Sequence, residues 1–238
     1  MAILVCASGS KGGTGKTVTA SLLAYRLAKF SGKQVLLVDL GEFGSSTQLV
    51  LAKDPGPPYL NDYFLGNASW SEVIVESPFA EGLYVAPSHG ETGPVDSAAL
   101  EYMLDQVAGT VSHVIIDLPA YPGRLYDPIV ELAEVIIAVF NPDALSFQAV
   151  EGWLRGRGLL RRKLVLPLLN KYFVLMGEWR ERAEEKFGAV FTLPLDTALL
   201  YAATSDVEEA YSLSSQRVKK ELDILAYRVE KPLLKVTG

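Results

Sequence analysis

The chain has 238 residues, 49% hydrophobic and 21% charged, with a formal net charge of −6. That length supports one domain with a sizeable core, and the balance is that of a soluble globular protein, not of one coated in basic surface for nucleic acid. No stretch reaches the roughly eighteen consecutive apolar residues of a membrane span, and a single cysteine, Cys6, excludes a disulfide framework and fits a reducing cytoplasm, as does an amino terminus without a basic leader.

An apolar run over 2–8 predicts a first strand, buried and containing Cys6. It runs into Ser10-Lys11-Gly12-Gly13-Thr14-Gly15-Lys16-Thr17, and a helical pattern follows over 16–30. Strand, glycine loop and helix in that order form the context of a phosphate-binding loop. The glycines let backbone N–H groups converge on phosphate oxygens at the positive end of the helix. Lys16 is placed for the β- and γ-phosphates, and the Thr17 hydroxyl for Mg²⁺. The loop departs from the strict spacing, because Ser10 stands where the first glycine belongs and a second lysine, Lys11, precedes the glycines.

A second buried strand over 34–39 ends in Asp39-Leu40-Gly41-Glu42-Phe43-Gly44. Asp54-Pro55-Gly56-Pro57-Pro58 reads as a turn, with a short helix near 59–65. Strands over 82–86 and 112–117 enclose a helix over 96–108. The run Val114-Ile115-Ile116 rises into Asp117, a carboxylate at a buried strand end that suits Mg²⁺. A strand over 135–140 leads through Asn141-Pro142-Asp143 into a helix over 144–157, and a strand over 163–169 leads into Asn170. A helix over 177–187, a strand over 190–192, Pro194 and Asp196, and a terminal helix over 214–229 capped by Ser214 or Ser215 complete the chain. This alternation predicts an α/β fold over 1–238: a doubly wound, mostly parallel sheet with helices on both faces and ligands at the carboxyl ends of its strands. His89 and His113 are isolated and read as structural. Arg155, Arg157, Arg161, Arg162 and Lys163 form a basic run with no acid inside it, either a solvated helix end or a patch for DNA or an acidic partner.

The loop matches K-G-G-x-G-K-[ST], the deviant Walker A signature, and with the segments around Asp39, Asp117, Asn141, Asn170 and Pro194 the chain resembles the MinD/ParA family of P-loop ATPases. Divergent pilus-assembly members of the CpaE/TadZ type, some with degraded catalytic motifs, are similar to one of the two functions considered below, a non-hydrolysing scaffold. The resemblance implies ATP and Mg²⁺ as cofactors. It places Lys11, Gly12, Gly13, Thr14, Gly15, Lys16, Thr17 and Val18 on the phosphates, Thr17, Asp39 and Asp117 at the metal, and Asn170, Pro194 and Asp196 beside the adenine. It also implies an ATP-dependent homodimer in which Lys11 crosses to the partner's nucleotide. Family members with metal clusters need cysteines that this chain lacks.

In the family a second aspartate follows the one matching Asp39 and positions the attacking water. Here that position is Gly41. The departure leaves binding intact and implies weak or partner-dependent hydrolysis, with Glu42 as the nearest replacement among catalytic groups that include Lys11 and Lys16. Two functions follow. One is a slow ATPase switch that recruits a protein partner and organises partition, division-site or pilus and flagellum placement at the nucleoid or membrane periphery. The other is a hydrolysis-deficient ATP-binding dimeric scaffold that marks a cellular site. The tail over 231–238 is short, interrupted by proline and barely basic, which gives little support to a membrane anchor.

Overall fold

Strands whose residues are apolar on both faces must lie between two layers of helix, and the sheet is built this way. The structure, a computed structural model, describes residues 1–90 and 95–231, with Glu42 and Ala203 described by backbone alone. Among the described residues eight strands form one sheet: β1 (Ala2–Ala7), β2 (Val35–Asp39), β3 (Val75–Glu76), β4 (Leu83–Ala86), β5 (His113–Asp117), β6 (Val135–Phe140), β7 (Leu164–Tyr172) and β8 (Phe191–Pro194). Their spatial order is β3-β4-β2-β5-β1-β6-β7-β8. All neighbours pair parallel except β3, an antiparallel edge on β4.

Alternation along the central strands sorts the core into two halves. Leu4 and Cys6 of β1 pack with Leu37 and Ile115 against the first helix and the terminal helix Gln216–Glu230. Val5 of β1 packs with Leu36, Val38 and Ile116 against the helices Ser97–Val107 and Ala144–Gly156 on the other face. Burial also pushes the Cys6 thiol far up, so it stays a neutral hydrophobe.

The chain leaves β1 toward β2 on one side and later returns to place β6 on the other, so the crevice at the carboxyl end of β1 is the topological switch point. Register then fixes the chemistry there. Cys6 of β1 lies beside Asp117 of β5, and Asp117 beside Asp39 of β2, which brings two carboxylates to adjacent strand ends.

Sequence and structure differ in three places. Beyond the expected helices there are short ones, including Ser45–Leu51, Asp127–Leu132 and Val207–Leu213, of six or seven residues each and too brief to show a helical period. The two-residue edge strand β3 is likewise too short to read. The strand expected to end at Asn170 continues to Tyr172 through an irregularity in its pairing with β8. The terminal helix takes Ser215 as its cap, its hydroxyl accepting from the Val218 N–H. The tail expected to dock weakly on membrane lies, beyond Lys231, outside the described residues.

Candidate functional site

The first helix, α1 (Lys16–Ser31), begins after Gly15, whose left-handed backbone (φ 87°) supplies no side-chain cap, and no acid sits in its first turn. Its free N–H groups and positive dipole end are therefore open toward the crevice, as an anion site requires. At the far end Gly32 (φ 60°) closes the helix by donating its N–H to the Leu27 carbonyl.

The loop before α1 is pinned on both sides. The Lys11 N–H donates to the Ser8 carbonyl at 3.3 Å, and the Ser8 hydroxyl donates to the Lys11 carbonyl at 2.9 Å. Gly13 adopts φ 72°, so both it and Gly15 occupy a region that L side chains rarely enter. Gly15 is required for space as well, because a Cβ there would sit 2.1 Å from the Asn170 amide nitrogen. That amide donates to the Thr14 carbonyl at 2.7 Å. Gly12 faces only Ala120.

A cavity of about 350 Å³ lies over this loop, bordered by Lys11 to Val18 and, opposite, by Gly41, Phe43 and Ser45. At its floor the buried Lys16 ammonium meets Asp117 Oδ1 at 2.5 Å and lies 3.3 Å from the Thr17 hydroxyl. Ser46 donates its hydroxyl to the other Asp117 oxygen at 2.5 Å. Asp39 is fully buried and accepts three hydrogen bonds: from the Gly41 N–H at 2.9 Å, and from the Thr47 N–H and hydroxyl, each at 2.8 Å. Burial and the neighbouring Asp117 carboxylate nonetheless push Asp39 up to about 6, against the lowering effect of those bonds. Ser88 ties β4 into the same network, its N–H donating to the Thr47 hydroxyl and its own hydroxyl to the Gly41 carbonyl.

Between these anchors Phe43 adopts φ 61°, uncommon for a bulky side chain, and projects to solvent while its N–H donates to the Gly90 carbonyl. The Glu42 side chain, the expected catalytic replacement, lies outside the described residues.

The residues expected beside a base gather around a second, much smaller cavity of about 30 Å³, bordered by Val18, Asn170, Pro194, Asp196 and Leu200. Asp196 caps the helix Thr197–Leu200 through the Ala198 N–H and accepts from the Ser215 N–H at 2.9 Å. Burial alone would raise its carboxyl, but the Ser215 and Ala198 bonds hold it below the ordinary aspartate range. Asp196 thus ties this wall of the site to the terminal helix.

The basic run lies at exposed helix ends, as one of the two sequence readings has it, with most of its cations paired to acids. Arg157 pairs with Asp127 at 2.6 Å, Arg162 forks onto both Glu131 oxygens, Lys163 donates to the Glu131 carbonyl at 2.6 Å, and Arg155 lies 3.9 Å from Glu151. Only Arg161 of the five has no side-chain partner among the described residues. The acids that neutralise the run come mostly from the helix Asp127–Leu132, about thirty positions upstream. Arg157 also donates to the carbonyls of Pro122 and Gly123, holding the turn that follows Asp117.

Ser46, Thr47, Ser88 and Lys171 are not singled out in the sequence although each bonds a site residue. Serines and threonines after a strand end carry no signal of their own. His89 stacks on Tyr59 with ring centroids 4.9 Å apart, and His113 meets the Ser112 hydroxyl at 2.9 Å; neither borders the cavity over the loop.

With this geometry established, three kinds of likeness are informative. A family model described as an AAA domain matches residues 2–165. An uncharacterised ATP-binding protein of Methanocaldococcus jannaschii is 34% identical over 149 residues, 61% of this chain and 55% of that protein, so the match spans about half of the relative's length. The septum site-determining protein MinD of Thermotoga maritima is 23% identical over 95% of this chain and 87% of its own length. Among solved structures, MinD of Pyrococcus horikoshii complexed with Mg-ADP superposes with a TM-score of 0.78 at 23% identity, covering 97% of this chain and 96% of that one, a likeness of fold. No helix among the described residues is long and apolar enough to cross a membrane.

Proposed function

This chain belongs to the AAA-domain family and is a P-loop ATPase of the MinD/ParA type, and from that membership we propose that it is a Mg·ATP-binding switch whose two copies close on two nucleotides. The observation that carries the proposal is the cavity over the loop, where the open end of α1, Lys16 and the carboxylate of Asp117 converge. A polyphosphate fits the exposed N–H groups and dipole. Thr17, Asp117 and Asp39 offer hard oxygen donors, the set that holds Mg²⁺. Bound Mg²⁺ supplies charge compensation between the phosphates.

In the Lys16–Asp117 pair each buried charge compensates the other. Nucleotide gives Lys16 a phosphate and the cation gives Asp117 a counter-charge, so both groups exchange partners without being stranded. Asn170 keeps one amide hydrogen and its oxygen for a base edge after bonding Thr14. Lys11 stays half-exposed at the cavity's outer rim, where it can meet the phosphates of a second copy.

A second reading is favoured by Gly41. Its Cα faces the two carboxylates and no carboxylate of its own enters, while Ser46, Thr47 and Ser88 fix the loop around it. A site that binds and does not turn over suits a scaffold that stays dimeric. Binding of a fluorescent ATP analogue with and without Mg²⁺ tests the shared premise. Phosphate release under the same conditions then separates switch from scaffold, the switch predicting slow turnover and the scaffold none. Absence of nucleotide binding at millimolar concentration contradicts both. Spatial organisation of a protein partner, at the nucleoid or the membrane periphery, is the task the family resemblance supports.

A further inference from the structure

Two consecutive residues of a regular strand point to opposite faces. Asn170 and Lys171 do not behave this way. Asn170 donates to the Thr14 carbonyl at 2.7 Å, and Lys171 donates its ammonium to the Gly13 carbonyl at 2.8 Å, so neighbouring side chains hold neighbouring carbonyls of the phosphate loop.

The cause is an extra residue in β7. Leu169 pairs with Thr192 and Tyr172 with Pro194, so three steps on β7 oppose two on β8. Lys171 absorbs the irregularity with a left-handed backbone, φ 54°. The packing records the same shift of phase: Leu169 and Tyr172, three positions apart, are buried in the same half of the core. A residue with a Cβ held at positive φ beside a candidate site is a strained feature whose reason should be sought in the site.

The consequence follows from the trans peptide, in which C=O and N–H point in opposite directions. The Gly13 carbonyl shares a peptide with the Thr14 N–H, and the Thr14 carbonyl shares one with the Gly15 N–H. Drawing both carbonyls toward the end of β7 turns both N–H groups the other way, toward phosphate. Asn141 reinforces the first, its amide reaching the Gly13 carbonyl at 3.4 Å.

We propose that Lys171 is a positioning residue for the diphosphate of a bound nucleotide: through the bulge it fixes the Gly13–Thr14 peptide and aims the Thr14 N–H at phosphate. The proposal rests on the nucleotide-binding reading given above. Because that N–H belongs to the part of the loop that cradles the inner phosphates, ADP and ATP feel it alike.

The test is Lys171→Met, which keeps the stem and the backbone strain and removes the ammonium, with Lys171→Arg as the conservative variant. Affinity for Mg·ADP and Mg·ATP is measured by calorimetry. We expect about ten-fold weaker binding of both nucleotides, the scale of one oriented hydrogen bond to a charged group, and recovery in Lys171→Arg. A merely structural role is separated by amide NMR: on ADP titration the Thr14 N–H shift shrinks in Lys171→Met, while the Gly15 N–H, held by Asn170, moves as in the parent. Unchanged affinities in a parent that binds ADP, or equal losses of both amide shifts, overturn the role of Lys171 alone. A parent that binds neither nucleotide overturns the nucleotide reading and this proposal with it.

Discussion

Placing an aspartate at Gly41 probes directly whether that position limits hydrolysis. Gly41 has φ −70° and ψ 158°, extended backbone that any L-residue adopts, so the substitution meets no conformational penalty. The new Cβ would lie 3.1 Å from Asp39 Oδ1, 3.5 Å from Asp117 Oδ2 and 3.5 Å from the Ser45 hydroxyl, so one neighbour must yield by a few tenths of an ångström. The added carboxylate then sits among two others. A like-charge pair about 4 Å apart costs about 4 kcal/mol at an effective dielectric of 20, and Lys16 beside Asp117 offsets part of this. Gly41→Asp is therefore expected to lose a few kcal/mol of stability without nucleotide and to regain most of it with Mg·ATP. A positioned base or water-orienting carboxylate contributes about a hundred-fold, or about 2.7 kcal/mol of barrier. Single-turnover phosphate release should rise by that order in Gly41→Asp and far less in Gly41→Asn. Turnover equal to the parent's, at undiminished Mg·ATP affinity, would refute the reasoning that position 41 is the missing catalytic carboxylate.

Removing Lys16 as alanine strands the buried Asp117, so the nucleotide-free protein should lose about 3–5 kcal/mol in urea unfolding, with Lys16→Ala/Asp117→Asn recovering a large part; additive losses would deny the pair. His113 is buried beside Ser112, and burial holds its imidazole below the ordinary histidine value. The unfolded chain then binds the proton first, so stability is full above about pH 6.5 and declines as pH falls below it; His113→Gln should flatten that decline, and an unchanged slope would assign it to other groups. Because four of the five cations in the basic run are engaged with carboxylates, duplex DNA retention should be weak with a shallow salt dependence, and Arg161→Glu/Arg162→Glu should leave it unaltered. A steep salt slope abolished by that double variant would restore the patch.

The parts legible in the sequence were those with local signatures. Continuous apolar runs marked the central strands, glycine spacing marked the loop, and Asp117 stood out because a polar group closed an apolar strand. The parts that stayed hidden depend on partners far along the chain. Ser46 reaches Asp117 across 71 positions, and the acids facing Arg157 and Arg162 lie about thirty positions upstream. Asn170 drew notice as a base reader, but its bond to Thr14 and the reversal of Lys171 arise from one extra residue in β7, which leaves no trace in composition or period. Gly41 was legible as a departure. Only its backbone angles and the direction of its Cα show that a Cβ there would point at Asp39 and Asp117, with a tight contact to the first.

Nucleotide-driven association through Lys11 is tested by light scattering in one experiment. Molar mass is followed over hours with Mg·ATP, with Mg·ADP as control, for the parent and Lys11→Ala. The expected result is twice the chain mass in Mg·ATP alone, lasting in the parent if Gly41 slows hydrolysis, and a monomer in Lys11→Ala under every condition. A monomer in Mg·ATP at concentrations that saturate the site, or a dimer indifferent to nucleotide and to Lys11, would contradict it.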